Sequence, residues 1–301
     1  MRHRLAIAIT ACLAVSGGLA LWAEASNPKS GTAEHLSTYR WQIQAGWFGG
    51  FSGLEISEDG TQLITISDRG QIVIADIARE NGVIVSLSNV KHDKVLNKKG
   101  KFSPHTNQRD SEGLARLKNG ALVVSFEGVH RVEAFTAPGT RPKSFPTEAW
   151  FEDMEGNAGF EALAVDPAGQ LVVMPEDALE NDRLIQAYVL QGKRWRAAFT
   201  LRRDKQFQPV GADFGPDGRL YLLERGFNGF GFRTRVRSFH VDKTGASDEK
   251  ILFRNGIGGH DNLEGLSVWR DAEGRIRLTM ISDDNFRLIQ RTELVEYVLP
   301  Q

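Results

Sequence analysis

From about residue 50 onward, short apolar runs alternate with polar positions at a two-residue period and are broken by glycine-containing turns, the pattern of β-strands joined by hairpins. Five segments share one grammar: "SGLEISEDGTQLITISDRG" from Ser52, "EGLARLKNGALVVSFEG" from Glu112, "EALAVDPAGQLVVMPED" from Glu161, "GADFGPDGRLYLLERG" from Gly211 and "EGLSVWRDAEGRIRLTMISDD" from Glu264. In each, an apolar strand runs into a turn ending on glycine (Gly60, Gly120, Gly169, Gly218, Gly274), and a second apolar strand ends on an acid (Asp68, Glu127, Glu176, Glu224, Asp283). Glycine is expected there because tight hairpins need positive φ, which a residue without Cβ adopts cheaply. From the first repeat position to the glycine the count is 8, 8, 8, 7 and 10 residues, so the register is kept.

Most copies continue into a third strand: "QIVIADI" from Gln71, "HRVEAF" from His130, "LIQAYVL" from Leu184, "RVRSFHV" from Arg235 and "ELVEYVL" from Glu293. Some add a fourth, as in "VIVSLSNV" from Val83, "RWRAAFT" from Arg194 and "KILFR" from Lys250. Four antiparallel strands per repeat of roughly 50 residues predict an all-β fold, a β-propeller of four-stranded blades. Five copies predict five blades, with six as the alternative if the insert from Asn81 to Gln108 contains a degenerate blade; its core "KHDKVLNKKGKFSPHTNQ" is too polar to bury much. The last copy runs out of chain before a fourth strand, whereas "STYRWQIQ", Ser37 to Gln44, precedes the first copy without a blade of its own. Pairing it beside "ELVEYVL" closes the ring and leaves no bare strand edge.

The N-terminus follows a different pattern. Arg2 and Arg4 precede the apolar run "LAIAITACLAVSGGLALWA", and Ala23-Glu24-Ala25 forms an A-x-A site that predicts cleavage before Ser26. A retained anchor is the alternative, since the run is just long enough to span a bilayer; Gly17-Gly18 interrupts it and favours a signal peptide over residues 1–25. Residues 26–36 then read as a polar tether, and 37–301 as a single propeller domain in the periplasm or the medium. The one cysteine, Cys12, lies in the leader, so the mature chain has no disulfide, no thiolate nucleophile and no zinc-thiolate site.

Composition adds little beyond exclusions. The 301 residues are 41% hydrophobic and 25% charged, with 37 Lys+Arg against 38 Asp+Glu and a net charge of -1. That balance gives no global attraction to nucleic acid or to an anionic membrane, so ion binding has to be local. The expected partner is a small anionic or ester ligand, with no nucleic acid, no membrane after leader removal, and a monomeric state.

The known hydrolytic motifs do not occur: there is no G-x-S-x-G, no H-E-x-x-H, no P-loop and no R-H-G-x-R-x-P. "SNVK" from Ser88 matches S-x-x-K without partner motifs, and "DPAG" from Asp166 falls on a hairpin turn. The recurring acids carry the chemistry instead. In a propeller the innermost strands line a central channel, so equivalent positions in successive copies converge on one axis. Glu112, Glu161 and Glu264 share a repeat position, and the second-strand acids, Asp68 and Asp283 among them, end near the same mouth. Carboxylates gathered there repel unless protonated, paired or bridged by a cation, and an oxygen-only set favours Ca²⁺ or another hard divalent cation. Glu112, Glu161, Glu264, Asp68 and Asp283 are therefore the expected metal ligands. Their alternative role is architectural, accepting backbone N–H bonds or capping turns.

Arginines share these places. Arg69 follows Asp68, Arg225 follows Glu224, and Arg109 precedes Asp110. Arginine beside a cation suits a phosphate or carboxylate ligand, so Arg69 and Arg225 are expected to act on the substrate. His260, in the glycine-loosened "GGHDNLEG", is the candidate general acid or base. The segment "GFNGFGFRTR", Gly226 to Arg235, looks long for a hairpin connection and reads as a lid or contact surface.

The fragments "SDRG", "DSEGLA", "GFEALAV", "LLERGF", "NLEGLSV" and "ISDDNF", in this order, resemble the phytase-like family, or esterase-like activity of phytase, of exported bacterial proteins. The resemblance runs from about Gly49 to Val298 and implies an esterase or phosphatase activity on a propeller. Three functions follow: a metal-assisted hydrolase of phosphate esters, a lactone or carboxylic-ester hydrolase similar to gluconolactonase-type propellers with a cation in the channel, or a non-catalytic propeller that binds a ligand or protein around a structural cation. All three share the fold, so the site has to decide.

Overall fold

One turn recurs through the molecule. In all five repeats the glycine amide donates to the carbonyl three residues back, as Gly60 does to Ser57 (2.8 Å) and Gly169 to Asp166 (2.8 Å). The glycines Gly60, Gly120, Gly169, Gly218 and Gly274 take φ between +72° and +87°. "DPAG" is one of these turns, with Asp166 Oδ1 accepting the Gln170 N–H at 2.7 Å.

The protein is described here by a computed structural model covering residues 32–152, 154, 159–176 and 183–300. The expected leader and its cleavage site lie outside the described residues. Five four-stranded antiparallel sheets form the blades. The first holds β2 (Phe51–Ile56), β3 (Gln62–Ser67), β4 (Gln71–Glu80) and β5 (Val83–Lys94). The second holds β6 (Ser111–Arg116), β7 (Leu122–Phe126), β8 (Arg131–Phe135) and the two-residue β9 (Lys143–Ser144). The third is β10 (Ala162–Val165), β11 (Leu171–Met174), β12 (Leu184–Gln191) and β13 (Arg194–Arg202). The fourth is β14 (Gln208–Phe214), β15 (Leu220–Phe227), β16 (Phe232–Asp242) and β17 (Gly245–Arg254). The fifth runs β18 (Asn262–Arg270), β19 (Ile276–Asp283), β20 (Glu293–Val298) and then β1 (Glu34–Arg40). Among the described residues the insert forms no sixth blade; β5 takes its first part as a long, mostly exposed outer strand reaching Lys94.

The ring closes through β1, which pairs with β20 from Glu34↔Val298 to Arg40↔Glu293. This strand starts earlier than the expected Ser37 and stops at Arg40, so the tether boundary at residue 36 falls inside it. A buried ionic staple joins this fifth blade to the first. Both guanidinium nitrogens of Arg79, in the first blade, bond Glu296 of the fifth at 2.7 and 2.9 Å, while Arg277 adds 3.1 Å and Thr279 Oγ1 donates at 2.9 Å. Elsewhere apolar residues of facing sheets fill the seams, as Leu223, Val236 and Phe253 do against Leu266, Leu278 and Tyr297.

The inner strands β2, β6, β10, β14 and β18 each touch the next around the ring. They approach closely because a glycine stands at the bulge in four of them. A Cβ on Gly53 would come within 2.8 Å of the Leu114 amide nitrogen, and one on Gly211 within 2.5 Å of the Glu264 carbonyl oxygen. This is the structural meaning of the repeated "EGL": the glycine lets neighbouring strands meet, and the glutamate before it stands at the channel.

Candidate functional site

Backbone pairing fixes which residues share a level at the channel mouth. Asp68, Glu127 and Glu176 donate their amides to the carbonyls of Gly50, Asp110 and Gly159, while Arg225 pairs with Gln208 and Asp283 with Asn262. The equivalent residues are thus Asp68, Glu127, Glu176, Arg225 and Asp283, four acids and one arginine. Glu224 does not belong to this ring. It stands one residue out of register, fully buried, gripped by Arg235 (2.7 and 3.0 Å) and Arg237 (2.8 and 2.6 Å). A second ring lies at the bulges, where Ser52, Glu112, Glu161, Val210 and Glu264 each precede the small residue at the close approach.

The two rings bring carboxylates together. Donor oxygens of Asp110, Glu112 and Glu127 lie within 4.8 Å of one another, and so do those of Glu127, Glu161 and Glu176. Glu127 belongs to both groups, and its Oε1 also accepts the Gly159 N–H at 3.2 Å. Of the expected ligands, Glu112 and Glu161 stand in these groups, whereas Glu264 serves Arg225: Arg225 Nη1 bonds Glu264 Oε1 closely and Asn262 Oδ1 at 3.2 Å, and its Nη2 reaches Glu176 at 3.1 Å. Asn262 steadies Glu264 in turn with a 2.8 Å bond. Asp283 accepts the Asn285 N–H at 2.6 Å, and Asp68 keeps Oδ1 buried without a hydrogen-bond partner. Asp110, Glu127 and Glu176 were absent from the expected ligand set, although the repeat grammar had already placed Glu127 and Glu176 at strand ends.

The crowding shows in the titration of these groups. Burial, then repulsion from neighbouring acids, pushes Asp68 up to about 7. Glu127 is likewise raised to about 7 by burial and by Asp110, Glu176 and Glu264, although the Gly159 amide pulls it down. Asp283 goes to about 9, through burial and Glu264 above all. Desolvation first, then the neighbouring acids, drives the half-buried Glu112 and Glu161 well above the carboxylate range. Glu264 is also raised, since burial outweighs the opposing pull of Arg225. For Arg225, burial favours the neutral form, but Glu264, Glu161, Glu176 and Asp283 together hold it firmly charged. An oxygen-only cluster under such repulsion can hold a hard divalent cation, which would replace the protons.

The other expected residues lie elsewhere. Arg69 is exposed at the rim, its guanidinium carbon 3.1 Å from the centroid of the Phe286 ring, and its charge still reaches Asp68. Arg109 lies over Phe102 at 4.8 Å. The structure does not join His260 to the acids: its Nε2 is 2.7 Å from Tyr297 Oη, with His35 and Phe253 as ring neighbours, in the seam of the fourth and fifth blades. Burial first, then His35, lowers it to about 4, which makes it a neutral packing residue at ordinary pH. The "GFNGFGFRTR" segment is not a long loop. β15 runs on to Phe227 and β16 begins at Phe232, leaving a short turn that projects Phe230 at 94% exposure.

Comparison with curated protein sequences gives no significant match. Among solved structures, the chain is similar to the PQQ-bound aldose sugar dehydrogenase of Streptomyces coelicolor, at 12% identity and a TM-score of 0.46, covering 87% of this chain and 98% of that one. A luciferin-regenerating enzyme gives 11% identity and a TM-score of 0.45, with 89% and 96% covered. A gluconolactonase of Xanthomonas campestris gives 12% and 0.41, with 82% and 72% covered. Likeness at this level says nothing about chemistry. The sequence itself is more specific: over residues 46–286 it matches the phytase-like family, described as esterase-like activity of phytase, and the chain belongs to that family.

Proposed function

We propose that this protein is an exported hydrolase of small phosphate or carboxylic esters, working at a cation-holding channel mouth. The observation that carries the reading is the pair of carboxylate groups sharing Glu127, with Arg225 fixed in the same ring. The donor set fits a hard cation: all oxygen, five carboxylates within two overlapping groups, and a further buried oxygen on Asp68 without a partner. Asp110, Glu112, Glu127, Glu161 and Glu176 would hold the cation. When bound, it supplies Lewis-acid neutralisation of an ester oxygen.

The chain's own residues complete the site. Arg225, held by Glu264 and Glu176 from within the ring, offers a fixed positive charge toward an oxyanion that develops on the substrate. Arg69 stands on the rim, where it meets an incoming anion without desolvation. Asp68, with one oxygen unengaged and its carboxyl raised to about 7, is the candidate base for the attacking water. The family description supports the ester chemistry.

The test is metal analysis of the mature protein, followed by a panel of phosphate monoesters, carboxylic esters and lactones with and without chelator. Turnover that needs a divalent cation and disappears in Glu127→Gln supports the reading. Stoichiometric cation binding with no turnover on any substrate replaces it with the non-catalytic binding propeller. N-terminal sequencing of exported protein checks the leader, and a start at Met1 would refute its removal.

A further inference from the structure

A cleft of about 450 Å³ opens in the seam between the third and fourth blades, where the chain passes from β13 to β14. Among the described residues, five cationic side chains line it, Arg202, Arg203, Lys205, Arg235 and Arg237, beside the carboxylate of Asp204. Glu224 and Glu249, which hold Arg235 and Arg237, offset part of this charge, so the named cluster counts five cationic groups against three carboxylates. The volume lies in the range of small-molecule sites, and the lining is polar, so an apolar ligand gains little there.

The floor is built, not merely charged. Arg235 and Arg237 are 5% and 1% exposed, and both oxygens of Glu224 hold both guanidinium groups. Arg237 is tied also to Glu249 (3.0 Å) and Arg235 to Asp204 (3.1 Å), while the Arg235 guanidinium covers the buried Phe207 ring at 4.3 Å. This explains Glu224, the repeat acid that left the channel ring. It fixes two arginines in advance as a rigid floor, so a ligand is met first by the groups of the walls and not by the paired guanidinium groups. The walls differ: Arg202 and Lys205 are exposed, and Lys205 and Gln206 also line a second cleft of about 310 Å³ that leads past Gln208 and Gly226 toward the mouth.

We propose that this seam is an anion-binding site, separate from the channel mouth, that takes a phosphate-bearing small molecule with more than one negative charge. Planar guanidinium groups match phosphate oxygens in pairs, and a cluster of them with a lysine suits a doubly charged tetrahedral anion better than a single carboxylate. The site depends on no metal and on no catalytic reading of the mouth.

The experiment is calorimetric titration of the mature protein with inorganic pyrophosphate, in excess chelator so that the mouth holds no cation. The parent is expected to bind one pyrophosphate, and Arg202→Glu combined with Lys205→Glu to weaken it at least tenfold. Both positions are exposed, and an unchanged melting temperature verifies that the variant is folded. Arg203→Gln is the second variant, expected to weaken binding several-fold. Arg225→Gln, at the mouth and assayed below its own melting temperature so that it is folded, is expected to bind as the parent does. No heat in the parent overturns the proposal, as does equal binding by every variant, which marks nonspecific association. Binding lost in Arg225→Gln but kept in the seam variants assigns the anion to the mouth instead.

Discussion

Arg225 and Glu127 occupy the same register position in their blades, two blades apart on one ring, so a fixed cation stands where symmetry would put a fifth acid. Its bonds to Glu264 and Glu176 make it the one internal counter-charge of the cluster among the described residues. Arg225→Gln removes the arginine that two buried carboxylates share. The expected loss is about 3 kcal/mol near pH 8 in chelator, the scale for breaking a buried ion pair from one side. The loss should shrink near pH 5, where the acids protonate, and calcium should restore more stability than in the parent. Urea unfolding at both pH values, with and without calcium, measures all three.

The misplacement of Glu224 shows where sequence reasoning stopped short. The turn glycines, the strand alternation and the spare N-terminal strand made five blades and their closure legible, because those features follow from local backbone demands. The site needed register. Fourteen residues after Gly113, Ala162 and Gly211 stand Glu127, Glu176 and Arg225, a spacing present in the chain but hidden when the fourth copy is aligned on its acid. Its count of 7 instead of 8 was the signal: the true first position is Val210. His260 was misleading for another reason. A glycine-rich loop before an inner strand says nothing about which way the imidazole turns, and packing against Tyr297 decided it.

Glu127 belongs to both carboxylate groups, so it is the position where one substitution tests the cation. In the parent, calcium at about one hundred times its Kd should add about 2.7 kcal/mol of stability. Glu127→Gln should lose most of that gain and, in chelator, melt above the parent because one repelling charge is gone. Glu264→Gln should instead melt lower in either buffer, since it strips Arg225 of a partner. Calorimetric melting of the three proteins with calcium and with chelator checks this. A parent indifferent to calcium, with both variants equally destabilised, makes the carboxylates architectural.

The raised acids fix the sign of the pH dependence. A carboxyl whose folded pKa lies above its unfolded value stabilises the fold below the unfolded value, and that contribution is lost as pH rises through the folded value. For Asp68 and Glu127 the window runs from about 4 up to about 7, and for Asp283 up to about 9. His260, lowered to about 4 from 6.5, opposes this only between those two values. The chelated protein should therefore melt lower at about pH 8.5 than at about pH 6.5, and calcium should flatten the slope by replacing protons. A melting temperature that climbs over this interval in chelator would contradict the buried-acid description.

Removing Glu34–Arg40 exposes the full pairing edge of β20, because β1 is its outer neighbour along that length. A bare edge of this kind invites intermolecular pairing. The shortened protein should aggregate on warming and melt well below the parent, even though the Arg79–Glu296 staple remains. Light scattering during a thermal ramp reads the first effect and circular dichroism the second. Unchanged melting would show that the staple alone closes the ring.

Two glycines separate the demands of the turns from those of the channel. Gly218 ends a hairpin turn with φ of +76°, and a Cβ added there would meet only Pro167, at 3.9 Å, so Gly218→Ala should cost about 1 kcal/mol through backbone strain alone. Gly211 faces the Glu264 carbonyl at a Cβ distance of 2.5 Å, with the Leu266 amide at 3.4 Å. Both are backbone atoms of the next inner strand and have no rotamer to escape into. Gly211→Ala should cost about 2–3 kcal/mol as overpacking. It should also reduce the calcium-dependent shift, because the strand it displaces carries the Glu264 that orients Arg225 within the carboxylate ring. Urea unfolding gives the two costs and calcium titration the second effect; equal costs with an intact calcium response would mean that the inner strands have room to separate without disturbing the mouth.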